Sequence, residues 1–166
     1  MAKMKFEKFG VMIDMSRNSV MTVEALKRFM DALAKMGYNC VFLYTEDTYE
    51  VDGEPYFGYM RGRYTKEEMK EIDAYGEKIG IEVIPCIQTL AHLVDVLKWN
   101  KVYASIREDD ECLFVGEENT YKFIRDLIVA ASRPFKTKRI HIGMDEAWKL
   151  GRGSYLSKHG YVKTSE

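Results

Sequence analysis

The chain has 166 residues, 46% hydrophobic and 31% charged, which fits one globular domain with a sizeable core. Its 25 basic and 26 acidic side chains nearly cancel, so no global field recruits nucleic acid or an anionic membrane surface, and neutral or weakly charged ligands fit better. Cys40, Cys86 and Cys112 are odd in number and lack paired spacing, so they read as buried or free thiols of a reducing compartment, not as disulfides or a zinc site.

Residues 1–8 are charged and no continuous apolar segment follows them. Neither a signal peptide nor a membrane span is expected, and the cytoplasm is the simplest address. Residues 9–13 form a short apolar run ending in Asp14, Ser16, Arg17 and Asn18, the pattern of a buried strand that enters a polar loop. Thr22 is placed to cap a helix whose apolar positions Val23, Leu26, Met30 and Leu33 step by three and four, with Gly37 as its stop. The next unit repeats this grammar. Residues 40–44 are a continuous apolar strand running into Thr45, Glu46 and Asp47, followed by a Gly- and Tyr-rich loop over residues 51–63. Thr65 and Glu68 predict a capping box, with Met69, Ile72 and Ile79 as the buried stripe and Gly80 as the terminator.

A third strand over residues 81–87 leads to Gln88, Thr89, Leu90, Ala91 and His92. Pro85 has no N–H to give to a ladder, so regularity should fail near that strand's end. From residue 93 to 115 the pattern weakens to a short helix through Leu97 and an acidic loop at 108–111. A long helix follows residues 116–119, with Tyr121, Ile124, Leu127, Ile128 and Ala131 on one face, and Ser132, Arg133 and Pro134 end it. The fourth strand begins near Lys138, and the polar tail after Trp148 offers no fifth. Strands alternating with helices of this length predict parallel βαβ units. A closed barrel of this kind needs roughly 200 to 250 residues. The expected fold is therefore α/β: a partial (β/α)8 TIM-type barrel of about four βα units, one domain over residues 1–166.

The stretch from Arg139 to Trp148 is the chemically dense one. A β-branched run meets Gly143, which permits a sharp turn, and then two adjacent carboxylates, Asp145 and Glu146. With 26 acidic residues in 166 such pairs arise by chance, and Asp109, Asp110 and Glu111 form another acidic run. A solvated loop is the ordinary reading of the pair by itself. What singles it out is the whole string from His141 to Glu146 read together with the repeating units before it, at the carboxyl end of a strand, where α/β sheets bind ligands.

The string His141-Ile142-Gly143-Met144-Asp145-Glu146, with Asp14-Met15-Ser16-Arg17 after the first strand, resembles glycoside hydrolase family 20, the β-N-acetylhexosaminidases. The likeness runs over about residues 10–160. It implies retaining hydrolysis of a terminal β-linked N-acetylglucosamine or N-acetylgalactosamine, assisted by the substrate's own acetamido group. An N-acetylhexosamine-containing oligosaccharide or glycoconjugate is then the partner, and no cofactor is called for. The chemistry agrees, because neighbouring residues cannot easily flank a sugar as acid and enzyme nucleophile at roughly 5 Å separation. By the same likeness Glu146 is the general acid and base, and Asp145 orients the acetamide and stabilises the positive charge of an oxazolinium-like intermediate. Arg17, His92 and His141 complete the candidate set as substrate-binding residues, Arg17 through its rigid donor fork. His141, inside a strand, has the stronger claim to a hydrogen-bonded structural role, while His92 follows a strand end and could orient Glu146.

The sequence departs from the family pattern in two places. Gln88 stands four residues before His92, where the family has an aspartate, and Leu90-Ala91 replace a Pro-Gly. The aromatic walls of the family's sugar pocket come from the other half of the barrel, and Trp99 and Trp148 are expected to pack instead of forming a sugar platform. Two further readings are a non-catalytic half-barrel assembly or carbohydrate-binding module, and a strand-end metal cluster of Glu46, Asp47, His92, His141, Asp145 and Glu146. The latter has suitable ligand types for zinc or manganese but no fixed spacing. Unpaired sheet edges and an uncovered interior face predict a homo-oligomer, most simply a dimer.

Overall fold

The computed structural model describes residues 6–163. Strands β1 (Gly10–Asp14), β2 (Cys40–Tyr44) and β3 (Glu82–Cys86) form a parallel sheet in the order β1-β2-β3. Helix α1 (Val23–Lys35) connects the first two strands and α2 (Lys66–Ile79) the second and third. Both helices start as their caps dictate: Thr22 Oγ1 accepts from Ala25 N–H at 3.2 Å. Thr65 and Glu68 exchange reciprocal hydrogen bonds, which occupy donors that the first turn would otherwise leave unpaired. After β3 come two short helices, α3 (Val94–Leu97) and α4 (Asn100–Tyr103), then a 3-10 turn over Ala104–Ile106 and the long α5 (Glu118–Ser132).

Side-chain alternation gives the sheet two unlike faces. Val11, Ile13, Val41, Leu43 and Val83 pack against Leu26, Met30, Leu33, Met69 and Ile72 of the helices, and this is the core. The opposite face stacks in register as Met12, Phe42 and Ile84, and one rung higher as Asp14, Tyr44 and Cys86. Layers of this kind fill the interior of a (β/α) barrel. Here that face is partly open, and Met12 is 51% exposed. The fold is a parallel arc of such a barrel, as the alternating pattern predicts.

The fourth strand is shorter than expected. Residues near Lys138 join the sheet through one parallel bridge, His141 to Cys86, with hydrogen bonds from His141 N–H to the Pro85 carbonyl and from Ile87 N–H to the His141 carbonyl, both 2.9 Å. In a parallel strand, alternate residues direct both backbone groups to the same neighbour. Residues 85 and 87 face the fourth segment, so the N–H that Pro85 lacks is the rung that would have held the segment below His141. The disruption expected within β3 therefore falls on its neighbour, while β3 pairs with β2 through Cys86.

Two other expectations are corrected. Tyr121 is on the outer side of α5, where its hydroxyl accepts from Gly116 N–H at 3.2 Å, and Phe123 takes the core position. Thr120 sets this phase by donating its hydroxyl to the Phe114 carbonyl at 2.7 Å, so Thr120, Phe123, Leu127 and Ala130 turn inward. Trp148 does not pack: it is 78% exposed, although the turn that carries it is tied through Lys149 to Asp110 at 2.7 Å. The tail holds a short helix, α6 (Ser154–His159), which docks where buried Glu108 accepts from Gly153 N–H at 2.7 Å and Tyr155 N–H at 2.8 Å. Cys40, Cys86 and Cys112 are buried free thiols, and burial pushes Cys86 and Cys112 up to about 11. Among the described residues no helix is long and apolar enough to cross a membrane.

Candidate active site

The carboxyl ends of the strands bring together residues far apart in sequence. Arg17, after β1, donates to Asp14 Oδ2 at 3.2 Å and to the Tyr44 hydroxyl at 3.4 Å, and its Nε lies 3.8 Å from Glu46 Oε1. Its guanidinium carbon sits 5.1 Å from the Tyr44 ring centroid, a cation–π arrangement that holds the donor fork over the interior face. Burial raises the Asp14 pKa, but backbone donors from Arg17 and Ser16 and the Arg17 charge outweigh this and hold it below the ordinary carboxylate value.

Tyr44 and Gln88 extend this contact toward the acid pair. The Tyr44 hydroxyl donates to Glu46 Oε1 at 2.9 Å, and Ser16 Oγ donates to Glu46 Oε2 at 3.0 Å. Gln88 Nε2 donates at 3.2 Å to the Tyr44 hydroxyl and at 3.2 Å to Asp145 Oδ1. A continuous polar chain therefore runs from Arg17 through Glu46, Tyr44 and Gln88 to Asp145. Burial, and then the Glu46 charge, push the Tyr44 pKa upward, so this hydroxyl keeps its proton. For Asp145, burial pushes up, while the Gln88 donor and the His92 and His141 charges pull down, leaving its pKa below the ordinary value.

Asp145 and Glu146 are 59% exposed, on an open surface at the strand ends. His92 Nε2 approaches both, at 3.5 Å from Asp145 Oδ2 and 3.4 Å from Glu146 Oε2. Those separations bring His92 to ion-pair range of the acids, yet its Nε2 makes no hydrogen bond among the described residues. His141 is exposed on the interior face; its Nδ1 accepts from Gly143 N–H at 3.2 Å, fixing the ring against the turn that carries the acids. His92 (φ 57°), Gly143 (φ 52°) and Glu146 (φ 55°) all have left-handed backbone. For the two non-glycine residues this is strained, and such strain concentrates at functional sites. The Glu146 turn is closed by Trp148 N–H donating to its carbonyl at 2.8 Å.

The metal-cluster reading loses its ligands to other partners. Glu46 is engaged by Ser16 and Tyr44, and Asp47 by Arg61 Nε at 3.0 Å. Among the described residues no group of three or more His, Cys, Asp or Glu side chains could hold a metal ion. Trp99 does not approach the acids either; it packs with Tyr56 and Tyr59 at centroid distances of 5.3 and 5.6 Å.

The family model for the catalytic domain of glycosyl hydrolase family 20 matches residues 6–157. The chain belongs to glycosyl hydrolase family 20. It is 28% identical over 153 residues to beta-hexosaminidase 3 of Arabidopsis thaliana, covering 86% of this chain and 28% of that protein. Human hexosaminidase D is 29% identical over 136 residues, covering 79% of this chain and 28% of that protein. Among solved structures, a mutant Streptomyces plicatus beta-hexosaminidase in complex with the product GlcNAc superposes with a TM-score of 0.76 at 27% identity, covering 86% of this chain and 33% of that one. The exo-β-N-acetylglucosaminidase of Vibrio harveyi, at 22% identity, shares the fold with a TM-score of 0.81 over 96% of this chain and 31% of that one. The chain thus spans about a third of the length of these relatives.

All five sequence-derived candidates, Arg17, His92, His141, Asp145 and Glu146, lie at the carboxyl end of the sheet. Sequence reasoning missed Tyr44 and the donor role of Gln88. The available signal was a hydroxyl-bearing aromatic and an amide at the ends of apolar strands, where polar side chains face the site.

Proposed function

We propose that this chain is the first half of a β-N-acetylhexosaminidase barrel, a single unit carrying the acid pair of a substrate-assisted retaining hydrolase. In a completed barrel it removes terminal β-linked N-acetylglucosamine or N-acetylgalactosamine from oligosaccharides or glycoconjugates. Glu146 protonates the leaving glycosidic oxygen while the substrate's acetamido oxygen attacks the anomeric carbon. Asp145 receives the acetamide N–H and offsets the positive charge of the resulting oxazolinium-like intermediate. Glu146, now a carboxylate, then takes a proton from the attacking water. Arg17 and His92 hold the sugar and the acid in place, and His141 supports the Gly143 turn.

The observation that carries this reading is the placement of Asp145 and Glu146 on the strand-end face beside His92 and in line with Arg17. The hexosaminidase names of the relatives supply the substrate class. In a barrel completed by the remaining units, Glu146→Gln should lower hydrolysis of a chromogenic N-acetylglucosaminide by about 10² to 10⁴, with the melting temperature unchanged. Full activity in that variant refutes the assignment. Turnover absent from the completed wild-type barrel would favour a carbohydrate-binding module. We also place the chain in the cytoplasm on its three buried free thiols, and propose that by itself it forms a homodimer.

A further inference from the structure

We propose that Gln88 is the positioning residue that holds Asp145 in one orientation and in its anionic form, by a neutral donor where a carboxylate would do the reverse. This deepens the function proposed above, since an anionic Asp145 is what a positively charged intermediate needs. Its test, however, reads Asp145 directly and requires no turnover.

Gln88 closes β3 on the interior side and is only 1% exposed. Its Nε2 lies 3.2 Å from the Tyr44 hydroxyl and 3.2 Å from Asp145 Oδ1. Neither neighbour can donate to it. The single Tyr44 proton goes to Glu46 Oε1 at 2.9 Å, and an ionised Asp145 has no proton. Both must therefore accept, and the amide can satisfy both only by turning its NH2 group toward them. The chemistry of the neighbours, and not a choice between look-alike atoms, fixes which way the amide points.

The other end of the amide shows what that orientation sacrifices. Gln88 Oε1 is buried with no hydrogen-bond partner among the described residues. It faces Gly143, where an added Cβ would stand 2.5 Å away. An amide placed for packing alone would turn its carbonyl to a donor. This one leaves its carbonyl unpaired and gives its two protons to Tyr44 and Asp145.

A glutamate at this position would confront Asp145 as a like charge at hydrogen-bonding distance. The two carboxyls would share a proton, and Asp145 would be partly neutral at pH values where it is now charged. The other groups facing Asp145 are His92 at 3.5 Å, His141, the Cys86 thiol and the adjacent Glu146. These remain the same when only position 88 is changed, so differences among such variants report on that position.

The test is a carbon-detected NMR titration of the Asp145 side-chain carboxyl in the full chain, with the resonance assigned by its loss in Asp145→Asn. Wild type, Gln88→Leu and Gln88→Glu are compared, each checked for cooperative melting. If Gln88→Leu fails to melt cooperatively, Gln88→Met, which keeps length and bulk, takes its place under the same criterion. The Asp145 midpoint should rise toward the ordinary aspartate value when the donor is lost, and rise further with Glu, with a two-step curve shared by both carboxyls. A midpoint that does not move in a folded apolar variant, or that stays at the wild-type value in Gln88→Glu, overturns the proposal. Either result leaves the hydrolase assignment standing, which is decided by turnover and Glu146→Gln.

Discussion

Replacing Gly143 by alanine tests whether the turn that delivers the acids depends on the backbone at this one residue. Two terms add. A non-glycine residue at φ 52° bears about 1 kcal/mol of conformational strain. The new Cβ would also stand 2.3 Å from the Ile87 carbonyl oxygen and 2.5 Å from Gln88 Oε1. The side chain can rotate away, but the Ile87 carbonyl belongs to the backbone that leaves β3. Moving it strains the hydrogen bonds from Ile87 N–H to the His141 carbonyl at 2.9 Å and from Thr89 N–H to the Gly143 carbonyl at 3.0 Å. Overpacking of this kind costs about 1 to 3 kcal/mol, for a combined loss of about 2 to 4 kcal/mol. With a urea dependence of about 2 kcal/mol per molar, the unfolding midpoint should fall by about 1 to 2 M, read by far-ultraviolet circular dichroism. Gly37→Ala is the control, because Gly37 also has positive φ (87°) but nothing within 4 Å of the added carbon. It should show the conformational term alone. If Gly143→Ala loses no more than Gly37→Ala, the contact argument is wrong and the fourth segment is held by something other than its fit against Ile87 and Gln88.

Asp145→Asn in a completed barrel should impair cleavage of N-acetylated substrates while carbohydrate binding persists in part; full activity toward an N-acetylglucosaminide would rule out substrate assistance through this residue. Glu82 yields a pH prediction. Burial alone would raise its pKa, but donors from Lys8, Thr137 and Arg139 outweigh that and pull it from 4.5 to about 2. A depressed carboxylate stabilises the fold above its unfolded pKa, and that contribution fades as pH falls from about 5 through about 2. Glu82→Gln should therefore lower stability at neutral pH and flatten the acid limb of urea midpoints against pH; an acid limb identical to wild type would show that Glu82 does not fasten the fourth segment.

Much of the scaffold was legible because its signals are local. Thr22, Thr65 and Glu68 act within one helical turn, and the three apolar strand runs are continuous in sequence. The acid pair was legible for a related reason, since Gly143 and the end of a β-branched run mark a strand's carboxyl terminus without reference to any other element. What stayed hidden depends on register between elements. Pro85 removes a rung, but which neighbour loses it depends on which way residue 85 faces. The chain from Tyr44 to Asp145 joins residues 44 and 57 positions apart, and exists only once β2, β3 and the fourth segment are aligned. Gln88 looked like a defect in a motif because its partner could not be seen. On α5 Leu127, Ala131, Ile124 and Ile128 turn inward as their spacing predicts, and only the first turn departs from it: Tyr121 and Phe123 are both aromatic, and the hydroxyl of Thr120 decides which of them turns in.

We predict self-association of the isolated chain, and the same geometry motivates it. Among the described residues β1 has a partner strand on one side only, which leaves the backbone groups of its outer edge without a strand to pair with. The interior face carries Met12 exposed and Phe42 half-buried, and the strand-end turn adds Met144 at 58%. Together they form an apolar surface next to an open edge, the combination that favours burial against another copy. A two-fold dimer can match the interior face with itself, or join the two outer strands into a longer sheet. Both arrangements predict twice the chain mass by light scattering after size exclusion, persisting across a tenfold dilution. Two substitutions separate them. Met12→Lys places a charge on the interior face and should dissociate a face-to-face dimer, whereas Met12→Pro adds no charge but removes a backbone donor that points away from β2, and should dissociate a sheet-extended one. A wild-type chain that elutes as a compact monomer and melts cooperatively would show that β1 and the interior face are stable in water as they stand. The open barrel arc would then need no partner to persist.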